Sequence, residues 1–180
     1  ITALGYGGTF VAFTYLTPLL ENVTGFSARW VSGILLVYGI AVALGNVIGG
    51  KASNKNPLKA LMWMFILQTV ILVALTFAAP YKVVGLMVIF LMGMFAFMNV
   101  PGLQVLVVNL AEKYVPSAVN VASALNIAAF NVGIAIGSLL GGIIVDSIGL
   151  IHIPWIGGVM VLGAVVLTIK LMDMEGKTAQ

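Results

Sequence analysis

The chain has 180 residues, of which 62% are hydrophobic and 7% charged, with a net charge of +3 and a mean hydropathy of +1.18. So little polar surface excludes a water-soluble globule of this size and leaves a membrane protein, which its helix-length apolar runs make an all-α membrane protein. The absence of cysteine removes disulfides, zinc–thiolate sites and thiol catalysis, and the few cations sit at predicted helix ends, where topology accounts for them without any nucleic acid.

A helix that crosses a bilayer needs about 20 mostly apolar residues. Six such runs follow one another at 1–21, 29–51, 58–79, 83–110, 117–145 and 154–172, separated by short polar turns. The first run has neither a basic flank nor a small-residue cleavage pattern, so it is predicted to be a span and not a signal peptide. A start at Ile1 without Met reads as a piece of a longer chain.

The first span carries Tyr6, Thr9, Phe13 and Thr17 on one face, with Tyr15 beside it and Pro18 set to bend the helix. Thr9 is expected to bond its own helix more often than a solute. The second span offers Tyr38 and the run GIAVALGNVIGG from Gly39 to Gly50, which leads into a turn with Lys51, Lys55 and Lys59. In the fourth span Asn99 and Gln104 flank Pro101, whose missing N–H frees a carbonyl near mid-membrane. The fifth places Ser123, Asn126, Phe130, Gly133, Gly137 and Gly141 on one face, with Asn131 nearby. Polar side chains at this depth are functional candidates, although Asn126 and Asn131 could equally bond a neighbouring helix, and Tyr38 could be packing. His152, beside Pro154 in a turn, is expected to be solvated, and no metal-binding pattern or cofactor site is visible.

The fifth span also contains GIAIGSLLGG, Gly133 to Gly142, which shares Gly-x-x-x-Gly-Gly with the second span. The repeat unit would then be three helices, residues 1–79 and 80–180, the second ending in a short tail. An odd unit reverses direction across the membrane, giving an inverted 3+3 repeat, one building plan of secondary transporters. The glycines themselves, Gly45, Gly49, Gly50, Gly133, Gly137 and Gly141, suit close helix packing. With residue 1 on the cytoplasmic side, Lys51, Lys55, Lys59, Lys113, Lys170 and Lys177 fall inside, and only Arg29 and Lys82 outside. Trp30, Trp63, Tyr81, Tyr114 and Trp155 fall near helix ends, as an interfacial belt requires.

The turn GGKASNKNPLK, Gly49 to Lys59, resembles the signature loop of the major facilitator superfamily, G-x-L-A-D-R-x-G-R-K, with Asn54 and Lys55 where that pattern has Asp and its first Arg. Asn54 cannot make the Asp-based charge relay that locks the inward gate in the family. The segment Asn99 to Gly142 is similar to the tenth and eleventh helices of bacterial sugar and drug efflux permeases in the drug:proton antiporter branch, arabinose-efflux-like members included. Thr14 to Leu20, TYLTPLL, resembles their seventh helix. The resemblance implies the C-terminal six-helix half of such a transporter in a bacterial inner membrane, with both termini of the chain cytoplasmic. It also implies an N-terminal six-helix half as partner. The first, second, fourth and fifth spans would line the central cavity.

None of the five acids, Glu21, Glu112, Asp146, Asp173 and Glu175, lies mid-span. By the resemblance, the proton-coupling carboxylate belongs to the other half. The expected function is proton-coupled efflux of a small solute (sugar, nucleoside or drug), with a six-helix channel or facilitator as the alternative. Asn99-Val-Pro101 is only a distant imitation of an aquaporin motif, and one His with five scattered acids does not build an enzyme site.

Overall fold

A computed structural model describes residues 1–178. Among the described residues seven α-helices make the fold: α1 (Thr2–Phe13), α2 (Leu16–Asn22), α3 (Ala28–Ser53), α4 (Pro57–Ala78), α5 (Lys82–Tyr114), α6 (Val119–Ser147) and α7 (Ile153–Thr178). Short 3-10 turns, Pro116–Ala118 and Leu150–His152, lead into α6 and α7. From α3 onward each helix is long and apolar enough to cross a membrane. The first predicted span is divided between α1 and α2.

That division has a local cause. Pro18 lacks an N–H, and its ring crowds the carbonyl four residues earlier, at Thr14. The chain responds there: Thr14 N–H still reaches Phe10 O at 3.3 Å, but Tyr15 N–H turns to Ala12 O at 3.2 Å and the helix restarts at Leu16. The bend expected at Pro18 is therefore a break one turn upstream. Pro101 has no such effect, and α5 runs unbroken through it for 33 residues. The tail expected after residue 172 is helical through Thr178, anchored by Glu175, which pairs with Lys113 at 2.7 Å and accepts from Tyr114 Oη at 2.6 Å. The end of that tail, and with it the C-terminus, lies outside the described residues.

The helix contacts fall in the exchanged pattern that an inverted repeat of three-helix units would give. The second helix of each unit lies on the first helix of the other, α3 on α5 and α6 on α1. The third helices do likewise, α4 against α5 and α7 against α1, and α4 and α7 pack on each other. Glycine makes the first pair of contacts possible. A Cβ at Gly45 or Gly49 would fall on the carbonyl oxygen of Met94 or Met98 in α5. In the other unit a Cβ at Gly137 would fall on the carbonyl of Gly7 in α1, and one at Gly141 would lie 2.8 Å from that of Val11. The two Gly-x-x-x-Gly runs thus do the same mechanical work, letting helix backbones touch.

The core runs along α1, α4, α5 and α7 through Val11, Leu61, Phe65, Leu72, Met92, Leu103 and Val161. Outward faces stay apolar, with Leu36, Phe77 and Leu139 exposed, as contact with lipid requires. The belt aromatics Trp30, Trp63, Tyr81, Tyr114 and Trp155 are exposed too.

Candidate functional site

Spacings of four and three put Tyr6, Phe10 and Phe13 on one side of α1. Three other helices send rings to meet them. Tyr6 lies edge-on to Phe130 of α6, with centroids 4.8 Å apart, and to Phe97 of α5 at 5.7 Å. Phe97 is 6.0 Å from Phe13, which stacks on Tyr38 of α3 at 5.5 Å and 21°. Phe10 fills the middle, 4.9 Å from Tyr6 and 5.3 Å from Phe13. Phe10, Phe13, Phe97 and Phe130 remain partly exposed, while Tyr6 and Tyr38 are buried and Tyr38 Oη has no partner. Edge-to-face and offset pairs of this kind are the arrangements that the ring quadrupole favours.

Toward the lysine-rich end of the bundle the same face becomes polar. Thr2 Oγ1 donates to Asn126 Oδ1 at 2.6 Å, Asn126 Nδ2 donates to Gln104 Oε1 at 2.9 Å, and Gln104 Nε2 donates to Ser123 Oγ. This relay ties α1, α6 and α5 together and leaves Asn126 almost fully buried. Toward the other end, Thr14 and Ser138 share a 2.8 Å hydroxyl bond, and Tyr15 Oη donates to Ser138 O at 3.1 Å beside Gly141 and Gly142. The face is therefore layered: amides, then rings, then hydroxyls.

Other residues singled out in the sequence lie elsewhere. Thr9 is fully buried toward α4, bonding Gly5 O and accepting from Gln68 Nε2, both at 3.4 Å. Asn99 is two positions from Phe97, about 200° around a helix. It shares the buried side of α5 with Met92, Ala96 and Leu103, and neither of its amide atoms has a partner. Asn131 is exposed and bonds its own helix at Ile127 O, 3.1 Å away. His152 Nδ1 accepts from Trp155 Nε1 at 3.1 Å. In the tight turn between α3 and α4, Asn54 and Lys55 are exposed and Asn56 caps α4 by accepting from Lys59 N–H at 3.0 Å. Gly50 is open, its nearest neighbour being Pro101 Cβ at 3.9 Å from a built Cβ.

Residues the sequence reading passed over are Phe10 and Phe97 in the ring layer, Thr2 in the relay, Thr14 and Ser138 at the hydroxyl end, and Gln68. A helical wheel would have found Phe10, Phe97 and also Thr2, four residues before Tyr6. Phe10 lies four residues after Tyr6, and Phe97 seven before Gln104, each on the face of a residue already chosen. No grouping of three or more potential metal ligands occurs among the described residues, and no acid reaches the layered face. The chemistry on offer is stacking and neutral hydrogen bonding.

Residues 1–119 match the family model of the Major Facilitator Superfamily. Over its whole length the chain is 70% identical to the uncharacterized MFS-type transporter YtbD of Bacillus subtilis (strain 168), covering 46% of that protein. It is 31% identical over 160 residues to the inner membrane transport protein YdhP of Escherichia coli O157:H7, covering 88% of this chain and 40% of that one. A probable sugar efflux transporter of Helicobacter acinonychis (strain Sheeba) is also 31% identical, with 89% and 40% covered. The chain spans less than half the length of these relatives. By the match of the family model to most of its helices, and by a relative similar from end to end, the chain belongs to the major facilitator superfamily.

Proposed function

We propose that the chain is the C-terminal six-helix half of a proton-coupled efflux transporter, built from repeats 1–79 and 80–180. Its layered face is one wall of the substrate cavity. The ring layer carries this reading: Tyr6, Phe10, Phe13, Tyr38, Phe97 and Phe130 converge from α1, α3, α5 and α6, and four of the six stay partly exposed. Rings kept open at mid-membrane suit a solute with a flat apolar face. Gln104 and Asn126 form the floor on the cytoplasmic side, with Tyr15 toward the far rim. A sugar, nucleoside or drug fits this description.

The opposite wall and the proton-binding carboxylate come from an N-terminal six-helix bundle. Substrate passes as the two halves rock about the site. Lys51, Lys55 and Lys59, all exposed at one end, support a reading in which that end and residue 1 face the cytoplasm of a bacterial cell, with the chain in its inner membrane.

The test is counterflow by the full-length protein in proteoliposomes, under an imposed pH gradient, with a panel of sugars, nucleosides and cationic dyes. A ring pair contributes about 0.5–1.5 kcal/mol, so Phe97→Ala is expected to raise the half-saturating concentration roughly 2- to 12-fold. An unchanged value would take the ring layer out of the pathway, and transport indifferent to the gradient would remove proton coupling.

A further inference from the structure

The backbones of α3 and α5 touch at Gly45 and Gly49 and part toward the lysine-poor end. The wedge between them is a groove of about 390 Å³ lined by Gly33, Val37 and Phe90, with Tyr38 at its bottom. Gly33 keeps it wide, since a Cβ there would meet nothing within 4 Å. The groove continues past Trp30 into a mouth of about 530 Å³ bordered by Ser27 and Lys82. The two ends differ in chemistry. The deep part is apolar, whereas the mouth carries a cation and a hydroxyl. Ser27 makes no side-chain cap bond to α3. The Lys82 ammonium stands 5.6 Å from the Phe26 ring and enters no ion pair among the described residues.

We propose that this groove holds one anionic phospholipid from the leaflet at that end. Its phosphate lies between Lys82 and the Ser27 hydroxyl, and one acyl chain follows Gly33 and Val37 down to the ring of Tyr38. Length supports the assignment. Eleven residues of helix separate Ser27 from Tyr38, about 16 Å, against roughly 15 Å for half the hydrocarbon core. Charge and depth agree: the cation and the interfacial Trp30 stand where headgroups lie, and the apolar length lies where tails lie. A free anion would leave the deep part empty, and an apolar helix from another bundle would leave Lys82 without a counter-charge. Through Tyr38 the tail end abuts Phe13 of the ring layer, so the lipid would brace the wall of the cavity.

The experiment is native mass spectrometry of the full-length protein in detergent, titrated with phosphatidylglycerol or phosphatidylcholine. Lys82→Gln and Gly33→Leu are the variants, each checked by thermal unfolding. Gly33 points into open space on a helix, so leucine there fills the groove without straining the fold. Wild type is expected to retain phosphatidylglycerol in preference to phosphatidylcholine, and Lys82→Gln to weaken it about fivefold. Gly33→Leu is expected to abolish the tightest adduct. If Lys82→Gln weakens binding and Gly33→Leu does not, the lipid only associates with surface charge and the groove assignment falls. It falls equally if neither variant matters, or if the full-length protein retains no phosphatidylglycerol because another bundle covers the groove.

Discussion

Replacing Gly45 or Gly137 by leucine is expected to keep the six-helix bundle from closing. At most core positions an added side chain finds relief by rotating or displacing a neighbouring side chain, and overpacking costs about 1–3 kcal/mol. Here the obstacle is backbone. The first carbon of a side chain at Gly45 meets the carbonyl of Met94, and at Gly137 that of Gly7, before any rotamer is chosen. Relief requires the helices to separate, which loses contact along the whole α3–α5 or α6–α1 seam. Both substitutions are therefore expected to exceed that range and to give little monodisperse protein. Gly50→Ala is the control, with only Pro101 Cβ at 3.9 Å, and is expected to stay within about 0.5 kcal/mol of wild type. Yield and thermal unfolding in detergent decide the matter. A Gly45→Leu protein as stable as Gly50→Ala would refute the close seam.

Asn126→Leu is expected to be the most damaging change among the polar residues of the layered face. It removes the acceptor used by Thr2 Oγ1 and the donor used by Gln104 Oε1, in a place where Asn126 is almost fully buried. A stranded buried polar group costs about 1–3 kcal/mol, although hydrogen bonds between membrane helices average nearer 0.6 kcal/mol because the separated helices find other partners. The double-mutant cycle of Asn126→Ala and Gln104→Ala should give a coupling of about 0.6–1.7 kcal/mol. Leucine at both positions should harm stability less than at Asn126 alone, since no amide is then left stranded. A coupling of zero would mean that the two amides act separately, and the relay would not be a helix clamp.

The clamp also marks how far the sequence could be read. Six apolar runs separated by polar turns identify the spans, because the membrane demands length and hydropathy and little else. The paired Gly-x-x-x-Gly runs marked the two close helix seams, since backbone contact admits almost no other residue. Three things were less legible. Pro18 acts through the carbonyl of Thr14, so the break falls a turn away from the residue that causes it. Asn99 and Gln104 look like partners across Pro101, but five residues of helix turn them to different sides, and only Gln104 joins the face with Phe97. Gln68 is a lone polar residue in an apolar run, and its value as a partner of Thr9 depends on how α4 meets α1. Rings, too, are ambiguous in a greasy sequence. Phenylalanine is as welcome against lipid as in a cavity, and only convergence from four helices tells the two apart.

The most direct test of the cavity assignment uses the lack of cysteine in these 180 residues, in a full-length protein whose cysteines outside them have been replaced. Phe97→Cys, Phe130→Cys and Asn99→Cys would be treated in right-side-out and inverted membrane vesicles with a membrane-impermeant maleimide, with and without transported solute. The ring-layer positions are expected to react and to be protected by solute, while position 99, on the buried side of α5, stays unlabelled. Labelling at position 99 with silence at 97 and 130 would contradict the assignment and place the pathway on the opposite side of α5.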